Sequence, residues 1–442
     1  MSMRFTLSRP ALALAVLSAL VAACAEREVI LPGEREPIRP ALAAEEHQRA
    51  DNESRPISLP AQSANAEWPQ GHGTPAFRTA HPALRPAPQL AWATDIGQGD
   101  ARRQRITAQP VVGGGRVYAL DAGAQVSAVS TGGGVLWQTD LRPVTDKEGQ
   151  ATGGGLAYAG GTLYVSLGFG KLVALDATTG GIRWTQELKA TGSGKPVVSG
   201  GILYLVAGDD TGWAINPADG RILWQTEVAP STANVLGAPA PVVGSKYVTF
   251  AFGSGAVVTA FRQGGLRRWG ASVSGQRKGR VITRYGDITG APVLVGSTVY
   301  IGNFSGRIAA FDVDSGDRLW TARQGAMDPV WPVGGSLFAV TDESALARID
   351  ASTGETIWAV ELPGFVKDRP RRRAAKFAHY GPVLAGGRVF VASNDGYLRA
   401  FAPQDGTLTA AIEVPGGATT PPTVAGQTLY VVNTKGELLA FR

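Results

Sequence analysis

The chain has 442 residues, of which 44% are hydrophobic, so it can form a large buried core. Charged residues make up 18%, below the usual value of about 25%, which argues against a largely disordered protein. The formal net charge of +6 is small for this length and argues against a nucleic-acid-binding protein, which would carry a basic stripe. Cys24 is the sole cysteine, so neither an intramolecular disulfide nor a cysteine-based zinc site is possible.

Residues 1–23 have the pattern of a bacterial lipoprotein signal peptide. Two arginines precede an apolar run at 11–21, which is too short to span a bilayer. Residues 21–24, with the sequence VAAC, resemble a lipobox, and this resemblance implies cleavage before Cys24 and lipidation of its thiol. Ala25 is not the aspartate that favours inner-membrane retention, so we expect the outer membrane. An ordinary signal peptide followed by a chance cysteine is the alternative.

Residues 24–66 are predicted to form a flexible tether between the lipid and the folded body. They contain five prolines and mixed charges, and they show no helical or strand period. A docking motif at Ile30–Arg35 is an alternative for part of this segment. The folded body is predicted to span residues 67–442.

From Pro110 onward, one block of about 40–50 residues recurs. Its first half is a proline, a short apolar strand, a small-residue turn and a β-branched or aromatic strand, as in Pro196–Tyr204. Its second half is an alternating strand, then Asp or Asn, a glycine four positions later and a tryptophan after four more, as in Asp176, Gly180 and Trp184. Glycine permits the positive φ of tight hairpin turns. Each block therefore predicts four short antiparallel strands, A to D.

Such repeats predict an all-β fold, an eight-bladed β-propeller of four-stranded antiparallel blades. The pattern resembles the PQQ-type propeller repeat over about residues 90–442. Eight A–B–C sets are present, but the last set ends at Phe441 without a strand D. An orphan strand D at Gln89–Trp92 is therefore predicted to complete the last blade and close the ring. The recurring tryptophans are predicted to pack between blades rather than to hold a ligand.

The loops from strand D to the next strand A are the variable part of the repeat. Three long loops of this kind extend from Trp224 to Pro241, from Trp269 to Pro292 and from Trp358 to Pro382. Long loops on a rigid scaffold are where binding residues concentrate. The second and third of these loops are basic, at 277–284 and 367–376. They are either solvated charge runs or docking surfaces for an acidic protein or anionic lipid.

The lipobox, the proline-rich tether, the Trp68-Pro69-Gln70-Gly71 entry and eight PQQ-type blades together resemble the BamB family. These are lipoprotein subunits of the outer-membrane β-barrel assembly (Bam) machinery. The resemblance implies a non-catalytic scaffold without a cofactor, lipid-anchored at the periplasmic face of the outer membrane. It implies as partners the periplasmic POTRA domains of BamA, other Bam subunits and, as a further candidate, nascent outer-membrane β-barrel proteins.

In that family, the loops after the third and fourth blades contact BamA. The family's Leu-x-Leu-Arg segment falls on residues 233–236, where Val235 and Leu236 match and the arginine is absent. The family's Asp-x-Asp pattern falls on residues 287–289, where Asp287 alone matches. The apolar pair is either tucked against the blade or forms a small exposed anchor with a polar rim, and we expect a smaller, salt-sensitive contribution from the third loop. The anchor is Val235 and Leu236, the rim is Arg284, Tyr285 and Asp287, and the third loop supplies Arg371, Arg372 and Arg373.

Two other functions remain open on the sequence. A periplasmic propeller of this type can bind another peptide or a glycan. Quinoprotein dehydrogenases have similar repeats, but they are usually longer, and their best-known members carry a vicinal cysteine pair that this sequence lacks. They also need a calcium site and an acidic base, and no motif here assigns either.

Overall fold

The structure, a computed structural model, describes residues 52–77, 81–144, 153–190, 194–231, 238–274 and 287–442. These residues form 32 strands in eight four-stranded antiparallel sheets. In seven sheets the four strands are consecutive in the chain, which confirms the predicted A–B–C–D blade. The fold is the predicted eight-bladed β-propeller.

Blades 1 to 4 follow one another from the first inner strand. Their strands, in the order A to D, are β2 Val111–Gly113, β3 Arg116–Leu120, β4 Gln125–Ser130 and β5 Val135–Asp140; β6 Gly154–Ala159, β7 Thr162–Leu167, β8 Lys171–Asp176 and β9 Ile182–Glu187; β10 Val197–Ser199, β11 Ile202–Val206, β12 Thr211–Ile215 and β13 Ile222–Glu227; and β14 Val242–Val243, β15 Tyr247–Ala251, β16 Ala256–Phe261 and β17 Arg267–Ser272.

Blades 5 to 7 repeat this order, and blade 8 combines the two ends of the folded body. Their strands are β18 Gly290–Val295, β19 Thr298–Gly302, β20 Ile308–Asp312 and β21 Arg318–Ala322; β22 Trp331–Val333, β23 Ser336–Val340, β24 Ala345–Asp350 and β25 Thr356–Glu361; β26 His379–Ala385, β27 Arg388–Ser393, β28 Tyr397–Phe401 and β29 Leu408–Glu413; and β30 Thr423–Ala425, β31 Thr428–Val432, β32 Glu437–Phe441 and β1 Leu90–Asp95.

The N-terminal strand closes the ring as predicted. Strand β1 pairs antiparallel with β32, with Thr94 opposite Leu438 and Asp95 opposite Glu437. The pairing extends to the chain end, because Gln89 N and O bond Arg442 O and N at 2.7 and 2.8 Å. Without β1, the last blade would expose the unpaired edge of a buried strand.

The recurring glycine and tryptophan pack between blades, which confirms the predicted role of the tryptophans. The Trp137 indole donates a hydrogen bond to Ala177 O of the next blade at 3.2 Å. Gly180 of that blade lies against the same ring, where a Cβ would be 2.6 Å from the nearest ring atom. The φ of Gly180 is +75°, so this position needs glycine both for its backbone and for the space. The same packing recurs with Gly220 on Trp184 and with five further pairs around the ring: Gly133–Trp92, Gly265–Trp224, Gly316–Trp269, Gly354–Trp320 and Gly406–Trp358.

The segment before β1 crosses the ends of the inner strands, on the side of the A–B turns. Trp68 exchanges two backbone hydrogen bonds of 2.8 Å with Val112 of blade 1. The next bonds go to blade 2 through Pro69 O, to blade 3 through the Gln70 side chain, and to blades 4 and 5 through Pro75 O and Ala76 O. Residues 68–76 therefore contact five successive blades, and we call them the crossing segment.

The predicted tether boundary at residue 66 lies too far along the chain. Glu53 N donates to Ile357 O of blade 6 at 3.0 Å, and Arg55 N donates to Gln404 O of blade 7 at 3.2 Å. The buried Arg348 guanidinium donates to the backbone carbonyls of Arg55 and Pro56. Residues 52–66 thus lie on the propeller. The sequence pattern did not reveal this, because a segment without helical or strand period can still form backbone hydrogen bonds with blades that are distant in sequence. The remainder of the predicted tether, and the signal peptide, lie outside the described residues.

Candidate protein-interaction face

The long loops share one face of the ring. In an antiparallel four-stranded blade, the A–B and C–D turns leave from one end, and the B–C turns and D–A loops leave from the other. The crossing segment occupies the first end. Three long D–A loops, at 228–241, 273–289 and 362–378, therefore begin and end on the opposite face, after blades 3, 4 and 6. The first two are neighbours around the ring.

The predicted binding residues divide between described and undescribed parts of these loops. Val235, Leu236, Arg284 and Tyr285 lie outside the described residues, as does the predicted lipidation site Cys24. Their roles stay predictions. Asp287 and the three arginines of the third loop are described.

Asp287 is buried, so the expectation that its side chain belongs to an exposed polar rim is wrong. Its relative exposure is 2%, and the next residue, Ile288, is 1% exposed. The carbonyl of Asp287 accepts a hydrogen bond of 2.8 Å from Phe304 N in the B–C turn of the same blade. A tertiary contact from another turn thus draws the end of the second loop into the core. The residue can shape this loop but cannot offer its carboxylate at the surface.

Side chains from the B–C turns hold the bases of the first two loops. Asp210 is 2% exposed and accepts hydrogen bonds from Ser231 N at 2.9 Å, in the first loop, and from Gly253 N at 2.8 Å, in the next blade. Asn303 donates to Val273 O, at the start of the second loop, at 2.9 Å. The sequence analysis did not identify these residues. The one signal available was an Asx residue in a short B–C turn, which is a common turn residue in any case.

The third loop is an ordered, positively charged hairpin. Val366 N donates to Ala375 O at 3.0 Å, Phe377 N donates to Gly364 O at 2.9 Å, and a 3₁₀ turn at Pro370–Arg372 forms the tip. We call residues 363–378 the basic hairpin. Its exposed side chains include all three predicted arginines, Arg371, Arg372 and Arg373.

The basic hairpin is fixed at its base by a buried histidine. His379 is 7% exposed, its Nε2 lies 2.8 Å from Pro363 O, and its Nδ1 lies 2.7 Å from Ser393 Oγ. A carbonyl only accepts, so Nε2 carries the hydrogen and Nδ1 accepts from the serine. Burial lowers the pKa of His379, which favours this neutral form. The Arg399 guanidinium donates a hydrogen bond to Ser393 Oγ at 3.4 Å and forms an ion pair with Asp395 at 2.6 Å.

Two opposite charges lie where the inner strands of blades 3 and 6 begin. Burial lowers the pKa of Lys195 and raises the pKa of Asp328, and the attraction between the two groups opposes both shifts. Asp328 also accepts a hydrogen bond from Gly381 N at 2.9 Å.

Among the described residues, no three His, Cys, Asp or Glu side chains are grouped so that they could bind a metal ion. The absence of a cofactor stays a prediction.

None of the helices in the described part of the chain is long and apolar enough to span a membrane.

Comparisons with known proteins place this chain in a family. A family model described as outer membrane protein assembly factor BamB matches residues 122–360 and 367–442. The outer membrane protein assembly factor BamB of Yersinia pestis is 26% identical over 361 residues, which cover 80% of this chain and 89% of that protein. The crystal structure of BamB from Moraxella catarrhalis aligns with a TM-score of 0.67 and 20% identity, over 80% of this chain and all of that chain.

A europium-containing methanol dehydrogenase also aligns, with a TM-score of 0.63 and 15% identity, over 83% of this chain and 89% of that chain. A likeness at this identity reflects the shared propeller fold alone. The family model, by contrast, matches well over half of the chain. The chain therefore belongs to the family of outer membrane protein assembly factor BamB.

Proposed function

We propose that this protein is a non-catalytic scaffold subunit of the Bam complex, lipid-anchored through Cys24 at the periplasmic face of the outer membrane. The observation that carries the proposal is the family match over most of the propeller. The name of the family, an assembly factor, favours a scaffold over the dehydrogenase alternative. A closed ring with long loops on one face also suits a protein that holds partners in place.

The proposed contact with the POTRA domains of BamA lies on the neighbouring loops after blades 3 and 4. Val235 and Leu236 are its apolar anchor, and Arg284 and Tyr285 are its rim. Asp287 takes a different role from the one first expected: because its side chain is buried, it shapes the end of the loop without touching the partner. Asp210 and Asn303 support the same surface, since they hold the loop bases.

The decisive experiment is affinity purification from solubilised envelopes, with BamA as the readout. We expect the wild-type protein to recover BamA. Leu236→Asp places a charge in the proposed anchor, and truncating such a hot-spot residue typically costs about 2 kcal/mol. That cost corresponds to a loss in affinity of roughly 30-fold. The thermal unfolding transition should stay nearly unchanged.

Leu266→Asp is the matched control. Leu266 is 71% exposed and lies in a C–D turn, on the opposite face of the ring. This variant should recover as much BamA as the wild type. Failure of the wild type to recover BamA would refute Bam membership. Full recovery by Leu236→Asp would place the contact elsewhere, and unfolding of that variant would make Leu236 a core residue.

A further inference from the structure

The basic hairpin is a charged projection separate from the anchor and rim of the proposed BamA contact, to which its arginines are expected to add only a smaller, salt-sensitive contribution. It follows blade 6, two and three blade positions from the loops after blades 4 and 3. Six cations and one acid give it a net charge of +5, and its cationic side chains are exposed. The cations are Lys367, Arg369, Arg371, Arg372, Arg373 and Lys376, and the acid is Asp368. Such a concentration of one sign, held in a fixed shape, attracts an oppositely charged surface.

We propose that the basic hairpin is a second, preformed docking site that binds an acidic polypeptide surface. The hairpin's shape supports a polypeptide rather than a lipid partner. A depression of about 390 Å³ lies between Val366, Lys367, Arg372, Ala374 and Ala375. Its lining combines three small apolar residues with two cations, which suits a carboxylate-bearing segment that also presents a small apolar side chain.

Neither aromatic side chain of the hairpin, Phe365 or Phe377, is exposed as an anchor for a bilayer, because both are partly buried. Membrane-surface segments use exposed Trp, Phe or Leu as anchors. Here, the Arg373 guanidinium covers the Phe365 ring at 5.2 Å and the Lys376 ammonium covers it at 5.3 Å. The large apolar side chain that the hairpin does expose is Val366, at 49%. Arginine also suits carboxylates, because its planar guanidinium can donate two parallel hydrogen bonds.

Internal contacts give the hairpin a defined shape without a partner, and such pre-organisation reduces the entropy lost on association. Arg373 Nε donates to Asp368 O at 2.9 Å and its guanidinium pairs with the Asp368 carboxylate at 3.2 Å. At the base, Ala378 N donates to Asn394 Oδ1 at 2.8 Å, next to the His379 contact with Pro363. The Arg371 and Arg372 side chains form no hydrogen bond or ion pair with another described residue, so they are the residues to replace.

The test uses the soluble chain from residue 25 onward and a fluorescent (Glu-Ala)₆ peptide as the probe, followed by anisotropy at low salt. We expect saturable binding that weakens at 300 mM salt, about the condition at which exposed charges are strongly screened. Arg371→Ser with Arg372→Ser should weaken it by about tenfold or more, a change of about 1.4 kcal/mol. Arg102→Ser with Arg103→Ser is the matched control, with the same charge change at exposed positions, and should stay within about twofold.

Vesicles containing a quarter phosphatidylglycerol provide the other arm. Equal peptide binding by the two double variants, or no binding by the wild type, would overturn the proposal. Vesicle binding that depends on Arg371 and Arg372, without peptide binding, would also overturn it and assign the hairpin to lipid. The peptide measurement tests the hairpin separately from the proposed BamA contact. We expect Leu236→Asp, which should weaken BamA binding, to keep the peptide affinity of the wild type.

Discussion

Acidification should destabilise the ring through His72, in the crossing segment. The imidazole is 4% exposed, and its ring centroid lies 5.0 Å from that of Trp331 and 6.0 Å from that of Phe77. Its Nδ1 has no hydrogen-bond partner among the described residues. Burial, with a smaller effect from the Lys195 charge, lowers the pKa of His72 to about 3. The folded state therefore holds a neutral imidazole at pH values well above about 3.

The sign and size of the effect follow from linkage. Above the unfolded-state pKa of about 6.5, His72 is neutral in both states and makes no difference between them. As the pH falls through that value, the unfolded chain binds a proton that the folded chain cannot, so the free energy of unfolding falls. The loss is about 1.4 kcal/mol per pH unit and continues to the folded pKa of about 3. Between pH 7 and pH 5 it amounts to about 2 kcal/mol.

His72→Phe isolates this effect, because it keeps a flat ring in the aromatic cluster and cannot be protonated. Urea unfolding followed by tryptophan fluorescence at pH 7, 6 and 5 measures the free energy of unfolding. The variant should lose about 2 kcal/mol less than the wild type between pH 7 and pH 5. Phe77→Leu, in the same cluster, should lower stability at every pH and keep the wild-type pH dependence. An identical pH dependence in His72→Phe and the wild type would refute the lowered pKa.

Two further predictions concern the ends of the propeller and its anchor. Removal of residues 1–95 deletes both the crossing segment and β1, so it should expose the edge of β32 and produce an unstable, aggregating ring. Removal of residues 1–51 should leave the melting temperature nearly unchanged, and equal melting of both truncations would contradict the closure. Cys24→Ala should lose the lipid in metabolic labelling and leave the outer-membrane fraction, whereas a free Cys24 thiol in the mature wild-type protein would rule out lipidation.

The sequence was sufficient for the blades because their determinants are local. Gly180 fixes a left-handed turn and leaves space for Trp137, and the same glycine-to-tryptophan spacing marks blade after blade. Period, turn chemistry and strand alternation therefore agree within every repeat. Closure also followed from the sequence, since one unpaired strand D stood upstream of eight A–B–C sets, of which only the last lacked its own strand D. In the structure, Gln89 does pair with Arg442.

The binding face depended on contacts that no local pattern encodes. The residues near Asp287 in sequence do not indicate that it is buried. Its burial accompanies a tertiary contact, in which its carbonyl accepts a hydrogen bond from Phe304 N. A run of arginines has the same composition in a solvated loop and in a hairpin, and the hydrogen bond between Val366 and Ala375 makes it a hairpin. Residues 52–66 have the composition of a linker, yet they pair with blades 6 and 7. In each case the deciding partner is distant in the chain or lies within an irregular segment, so the tertiary structure alone sets which groups reach the surface.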